Sequence, residues 1–294
     1  MRPELLEPPA GDVRAAVERA LAEDLTPLGD LTAAILPPGV TTVAQFTARE
    51  AGRLAGIPCA AETFAQVDPS VQVQWLLRDG AILEPGDVIG IASGPLASIL
   101  VAERTALNFM GHLSGIATSV SLFVAEARGK ARIWDTRKTT PGLRSLEKAA
   151  VRAGGGHNHR GNLSDWVMIK DNHLTGMSVA QAVEAARDRW PARTVQVECD
   201  TLDQMIEAIK AGADLLLLDN MTPDQIRECV TITDTMAAAG AKRPLLEASG
   251  GIKLETVAGY ADAGIDLMSS GALTNSAPVL DIGLDIGPVV TADH

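Results

Sequence analysis

From about Trp134 onward, short apolar runs alternate with Ala-rich amphipathic stretches, and this alternation restricts the fold more than any other feature of the chain. The runs are ARIWDTRK (131–138), WVMIKDNH (166–173), TVQVECD (194–200), DLLLLDN (214–220), PLLEASG (244–250) and DLMSSG (266–271). Each is short, rich in β-branched or Leu/Met residues, and ends in polar residues. Between them, SVAQAVEAARDR (178–189), LDQMIEAIKAG (202–212) and KLETVAGYADAG (253–264) place apolar residues at helical spacing. Thr201 or Asp200 can cap the second of these, and Gly212 and Gly264 can close helices. Apolar strands alternating with helices require a parallel sheet covered on both faces. Six such units with no GxGxxG after a strand favour a βα barrel over a dinucleotide-binding sheet.

The first hundred residues have a different grammar. VTTVAQFTAREAGRLAG (40–56) and VQVQWLLRDGAILEPGDVIGIASG (71–94) alternate with a period of two between Gly and Pro turns, which predicts an antiparallel sheet with a few helices. SILVAERTALNFMGHLSGIATSVSLFVAEA (98–127) is a long helical stretch bridging the two parts. The expected division is an N-terminal α/β domain over 1–108 and a barrel domain over 109–275, with the tail 276–294 returning to the first.

In a βα barrel the C-terminal strand ends converge on one mouth, where chemistry occurs. Here those ends offer Arg137 with Lys138, then Lys170, Glu198, Asp219, Ser249 with Gly250, and Ser270 with Gly271. Charge is concentrated in the same region. The whole chain of 294 residues carries a formal net charge of −12. Between Ala131 and Thr175, eight Lys and Arg face four Asp and Glu, a net of +4, so the remainder carries −16. Overall acidity disfavours nucleic acid and anionic membrane surfaces, whereas a small basic island suits a small polyanion. Aromatics at 3% argue against a stacking platform for single strands. Cys59, Cys199 and Cys229 are widely spaced with no CxxC, which points to reduced thiols and no zinc site. The N-terminal MRPELLEPPAGDVR lacks an apolar signal region, so the expected location is cytoplasmic.

Three of the five histidines fall within AGGGHNHRGNLSDWVMIKDNH (153–173). Arg137, Lys138, His159, Arg160 and Lys170 together make a cationic floor whose planar donors match carboxylates. Glu198 and Asp219 are hard oxygen ligands suited to magnesium. The loops SGG (249–251) and SSG (269–271) can cradle a phosphate through backbone N–H groups. Bland readings stand beside these: GGG as a plain loop, HNH as polar packing, and the acids as salt-bridge partners of Lys138 and Lys170. Lys170 could also act as a Schiff-base amine. Taken jointly, the residues describe an anionic carboxylic acid and a phosphorylated sugar as the substrate pair.

The motifs GDLT (29–32), ERTALNFMGHLSGIAT (103–118), the unbroken block 135–173, LLLDNM (216–221), EASGGI (247–252) and SSGALTNSAP (269–278) resemble the quinolinate phosphoribosyltransferases, also called carboxylating nicotinate-nucleotide pyrophosphorylases. The resemblance covers nearly the whole chain. It implies an N-terminal α/β sandwich followed by an incomplete seven-stranded α/β barrel. It also implies phosphoribosyl transfer from 5-phosphoribosyl 1-pyrophosphate (PRPP) to quinolinate with decarboxylation, in NAD biosynthesis. By motif, Arg137, His159, Arg160 and Lys170 match the quinolinate clamp, with Thr136 beside them and Lys138 between the two substrates. Glu198 and Asp219 match the partners of the ribose hydroxyls and Mg2+. Ser249, Gly250, Gly251, Ser270, Gly271 and Ala272 match the 5′-phosphate cradle. Arg104 matches an arginine donated across a homodimer interface, and higher assembly is left open. One departure stands out: the family's LTHSA reads LTNSA here, with Asn275 in place of histidine.

Overall fold

The computed structural model describes residues 7–290. The first six residues of the N-terminal stretch and the last four of the tail lie outside the described residues. The chain divides into two compact units, one of Met1–Ser121, Thr139–Gly155 and Leu273–His294, the other of Leu122–Lys138 and Gly156–Ala272.

In chain order the elements begin with α1 (Ala10–Leu25), β1 (Thr41–Ala48), β2 (Gly52–Arg53), α2 (Ile57–Val67), β3 (Gln72–Trp75), β4 (Ile82–Leu83), β5 (Val88–Pro95) and α3 (Leu96–Ala127). They continue with β6 (Arg132–Trp134), α4 (Arg144–Ala153), β7 (Val167–Ile169), α5 (Val179–Arg189), β8 (Val195–Cys199), α6 (Leu202–Lys210) and β9 (Leu215–Asp219). The last are α7 (Pro223–Ala238), β10 (Leu245–Ser249), α8 (Leu254–Asp262), β11 (Leu267–Ser269), α9 (Ala272–Asn275) and β12 (Ile282–Val290).

In the first unit, β12, β1, β5 and β3 form a four-stranded antiparallel sheet with β12 at one edge. The alternation read in the sequence is realised in β1, where Ala44, Phe46 and Ala48 are fully buried. Phe46 meets Phe64 of α2 edge-on at 5.8 Å and Trp75 of β3 at 5.1 Å. Each of the two buried phenylalanine rings contributes about 1.5–3 kcal/mol by leaving water. Helix α3 is long and apolar enough to cross a bilayer. Its Ile99, Ala102, Ala106 and Met110 are nonetheless fully buried in the core that holds Phe46 and Phe64. The boundary expected near Phe109 falls within this helix. Its apolar periodicity runs on without a break, and a sequence offers no other mark of a boundary inside a helix.

In the second unit, six parallel strands lie in the order β6-β11-β10-β9-β8-β7. Every apolar run from the sequence becomes one of these strands. The β8 and β9 cores are buried on both faces, as near-continuous apolar strands require. Backbone groups of Arg132 and Trp134 bond to β11, whereas Ile133 and Asp135 bond to His157. The segment at His157 therefore lies on the free edge of β6 as a one-residue parallel bridge, the remnant of a seventh strand. The result is an incomplete α/β barrel. Thr201 caps α6 by accepting from Gln204 N at 3.3 Å, with Gln204 returning the bond at 3.1 Å.

Candidate active site

Because all six strands are parallel, their C-terminal ends make one rim. Asp135, Thr136, Arg137 and Lys138 follow β6, and Lys170 follows β7 directly. Glu198 is the penultimate residue of β8, Asp219 ends β9, and Ser249 ends β10. Ser270 and Gly271 follow β11, and Ala272 opens α9. In the register, Asp219 stands beside Ser249. All the expected site residues except Arg104 thus belong to the second unit.

The loop carrying HNHR is tied to the first of these ends. Asp135, fully buried, accepts from the His159 backbone N–H at 2.8 Å through Oδ1 and from Asn158 Nδ2 at 2.7 Å through Oδ2. One carboxylate thereby fixes the loop against β6. His159 is buried, its ring 4.7 Å from that of Trp166 and 5.7 Å from that of Trp134. Arg160 reaches back to Met168 Sδ at 3.2 Å. Burial chiefly, and then the charge of Arg137, lowers the Arg160 pKa, while Asp165 and Glu247 pull it up. Two guanidiniums that feel one another in a partly buried rim favour an anion between them.

Lys170 Nζ forms an ion pair with Glu198 Oε2. The salt-bridge reading of the sequence is thus realised for this pair. Burial raises the Asp219 pKa, and the charges of Glu198 and Asp200 raise it further against the opposing pull of Lys170 and Lys138. Lys138 lies across Gly271: a Cβ there would come within 2.6 Å of its Cδ. At Gly250, with φ +88°, a Cβ would meet Asn220 Oδ1 at 2.2 Å, so the loop after β10 can pass this close only as glycine. Gly251 has no neighbour within 4 Å of a built Cβ, leaving the backbone of this loop accessible. Ser270 Oγ donates to Ile252 O at 3.3 Å, linking the SSG loop to the SGG loop.

Among the described residues no group of three or more His, Cys, Asp or Glu is arranged to hold a metal unaided. Glu198 and Asp219 nevertheless fit a hard cation, since the charge of Glu198 adds to burial in raising the Asp219 pKa and magnesium commonly takes one or two carboxylates plus substrate oxygens. Arg104 belongs to the first unit, on α3, with its side chain 69% exposed and Glu103 at 4.0 Å. It lines a cavity of about 210 Å³ with Glu23, Asp24, Asn108 and His112.

Sequence reasoning missed the residues beneath the rim. Gln196 and Glu247 are fully buried, and Trp166 Nε1 donates to Gln196 Oε1 at 2.9 Å. The signal was present, a polar residue inside each of the apolar runs TVQVECD and PLLEASG.

A rim of cations, paired acids and two serine–glycine loops on parallel strands defines the class: an α/β-barrel enzyme for small, multiply charged anions. The family model described as quinolinate phosphoribosyl transferase, N-terminal domain, matches residues 30–114, and the C-terminal domain model matches residues 116–285. The Mycobacterium leprae nicotinate-nucleotide pyrophosphorylase (carboxylating) is 41% identical over 278 residues, covering 93% of this chain and 96% of that protein. The probable Bacillus subtilis counterpart is 41% identical over 88% of both chains. The solved structure of the Francisella tularensis nicotinate-nucleotide pyrophosphorylase superposes with a TM-score of 0.89 at 36% identity, covering 96% of this chain and 98% of that one. The chain belongs to the quinolinate phosphoribosyltransferase family.

Proposed function

We infer that the protein transfers the phosphoribosyl group of PRPP to the ring nitrogen of quinolinate. The 2-carboxylate is lost, giving nicotinate mononucleotide, carbon dioxide and pyrophosphate. This is the activity named for its curated relatives, and it serves NAD biosynthesis. The observation that carries it here is the rim itself, with cations on one arc, acids on the next, and two linked backbone loops beyond.

In this reading Arg137, His159, Arg160 and Lys170, with Thr136, hold the two quinolinate carboxylates. The lowering of the Arg160 pKa, by burial first and then by the charge of Arg137, is relieved when a dianion enters between them. Lys138, laid over Gly271, reaches toward both substrates. Ser249, Gly250, Gly251, Ser270, Gly271 and Ala272 receive the 5′-phosphate through backbone N–H groups and hydroxyls. Glu198 and Asp219 orient the ribose hydroxyls and would hold Mg2+, whose charge would stabilise the departing pyrophosphate. Lys170 then has two partners to choose between, Glu198 and a substrate carboxylate.

The chemistry asks for placement and charge more than covalent help. The ring nitrogen forms its bond to the anomeric carbon as the bond to pyrophosphate breaks. The C2–carboxylate bond then breaks, carbon dioxide leaves, and the electron pair stays at C2 beside the cationic nitrogen until C2 takes a proton. The clamp keeps the ring in line for attack.

Arg104, well exposed on its own unit, is proposed to serve the site of a second subunit in a homodimer. A cytoplasmic location is proposed with it. The test of the function is pyrophosphate release from PRPP with quinolinate and, separately, with nicotinate. Turnover with quinolinate alone, with matching carbon dioxide, is expected. Equal or faster turnover of nicotinate would refute the assignment, because the clamp is built for two carboxylates.

A further inference from the structure

Glu247 lies on β10 in the barrel interior, fully buried, two residues below Ser249 of the rim. Its Oε2 accepts from Gln196 Nε2 at 2.6 Å and lies 3.3 Å from His159 Nε2. Gln196 in turn accepts from Trp166 Nε1, and the Trp166 ring packs on His159 at 4.7 Å. Trp166, Gln196, Glu247 and His159 therefore close a circuit in which each member fixes the next. The circuit is expensive for the fold. Glu247 Oε1 is buried with no hydrogen-bond partner among the described residues. Buried polar clusters of this kind can often be replaced whole by well-packed apolar residues with no loss of stability. Stability alone thus gives no reason for a glutamate at this position.

The geometry points to Glu247 as a positioning residue for the substrate clamp. It faces the Nε2 edge of His159, so the imidazole can neither flip nor rotate without losing that contact. The two ring nitrogens point in diverging directions, and with Nε2 held by the carboxylate the Nδ1 edge is kept turned away from Glu247. A carboxylate partner also fixes which nitrogen carries the proton, as it does for other histidines oriented from behind. Gln196 and Trp166 hold the carboxylate in its turn. This inference rests on the reading of His159 as part of the quinolinate clamp, and it predicts that Glu247 acts on quinolinate chiefly through His159, beside the smaller pull of its charge on Arg160.

The test is a mutant cycle on the full-length protein, with thermal midpoints recorded for every variant. Glu247→Gln keeps the shape and an acceptor for Gln196 but removes the charge. Its KM for quinolinate should rise by about tenfold or more, as when the outer partner of a functional histidine is removed. The KM for PRPP should stay within about threefold. His159→Ala should raise the quinolinate KM at least as much, and the double variant should be no worse than His159→Ala within about threefold, since contacting residues are non-additive. Should Glu247→Gln fold poorly, Gln196→Met, which removes the donor that holds the carboxylate, should show the same selective rise in smaller degree. If His159→Ala raises the quinolinate KM while neither Glu247→Gln nor Gln196→Met does, or if the single effects multiply in the double variant, the positioning role is refuted and the clamp stands. If His159→Ala leaves the quinolinate KM unchanged, the clamp assignment of His159 fails and takes this inference with it.

Discussion

At the scale of single residues, the rim sets like charges beside one another: after burial, the charge of Arg137 lowers the Arg160 pKa, and those of Glu198 and Asp200 raise the Asp219 pKa. Arg160→Ala should remove a bidentate donor from a partly buried carboxylate site, a loss of roughly 2–5 kcal/mol. Calorimetric titration should show quinolinate binding weakened by well over tenfold, and an affinity within about threefold of wild type would count against the assignment. Asp219 makes the opposite case. Its pKa is raised in the fold, so its stabilising contribution is present at low pH and is lost as pH rises through its raised value. Near pH 7, Asp219→Asn should unfold at the same temperature as wild type or higher, yet lose about a hundredfold or more in kcat. A variant that is both destabilised and active would contradict this. The names and spacing of these residues were legible in the sequence, because strand ends can be read from where apolar runs stop. Their support was not. Nothing in the order of letters says that Asp135 ties His159 to β6, or which of the two acids Lys170 takes as its partner, since those contacts depend on how far one strand end lies from the next.

At the scale of elements, strands in the second unit were readable because a strand buried on both faces must be apolar throughout, whereas the short β2 and β4, two residues each, left no periodic trace. The start of α2 shows what local sequence conceals. Its N-cap is Gly56, which has no side chain to offer, and Pro58 lies in its first turn. The cap comes instead from Asp79, twenty-odd residues on, whose carboxylate accepts from Gly56 N at 3.0 Å and Ile57 N at 3.1 Å. Asp79→Ala would strand two part-buried donors and should cost about 1–3 kcal/mol in urea unfolding. Burial pushes the Asp79 pKa up to about 6, against the pull of those N–H groups. The fold therefore prefers the protonated form, and the contribution of Asp79 to stability declines as pH rises from about 4 through 6. In Asp79→Asn that decline should vanish from a plot of stability against pH. An unchanged slope would show that some other group causes it.

At the scale of the whole molecule, the proposed dimer makes a sharp prediction. Arg104→Ala and Lys138→Ala should each be nearly inactive as homodimers. After mixing, dissociation and reassembly, about half the dimers would be hybrids with one unmutated site each, restoring roughly a quarter of wild-type activity. Hybrids detected by native mass spectrometry with no recovered activity would show that Arg104 serves its own subunit. The overall division into a sheet unit and a barrel unit was legible from the change of periodicity near residue 100. The insertion of Thr139–Gly155 into the first unit was not, because a helix after a strand in a barrel pattern looks like any other. The last strand carries a consequence of its own. β12 borders β1, and Thr47 bonds to Asp285 across 238 positions of sequence. A ribosome adding about 5–20 residues per second would finish the entire barrel while β1 waited, for roughly ten seconds to most of a minute, with one edge bare. Bare strand edges recruit strands from neighbouring chains. The hazard for this protein thus falls during its own synthesis, and crowded polysomes or a premature stop after the barrel would expose it most.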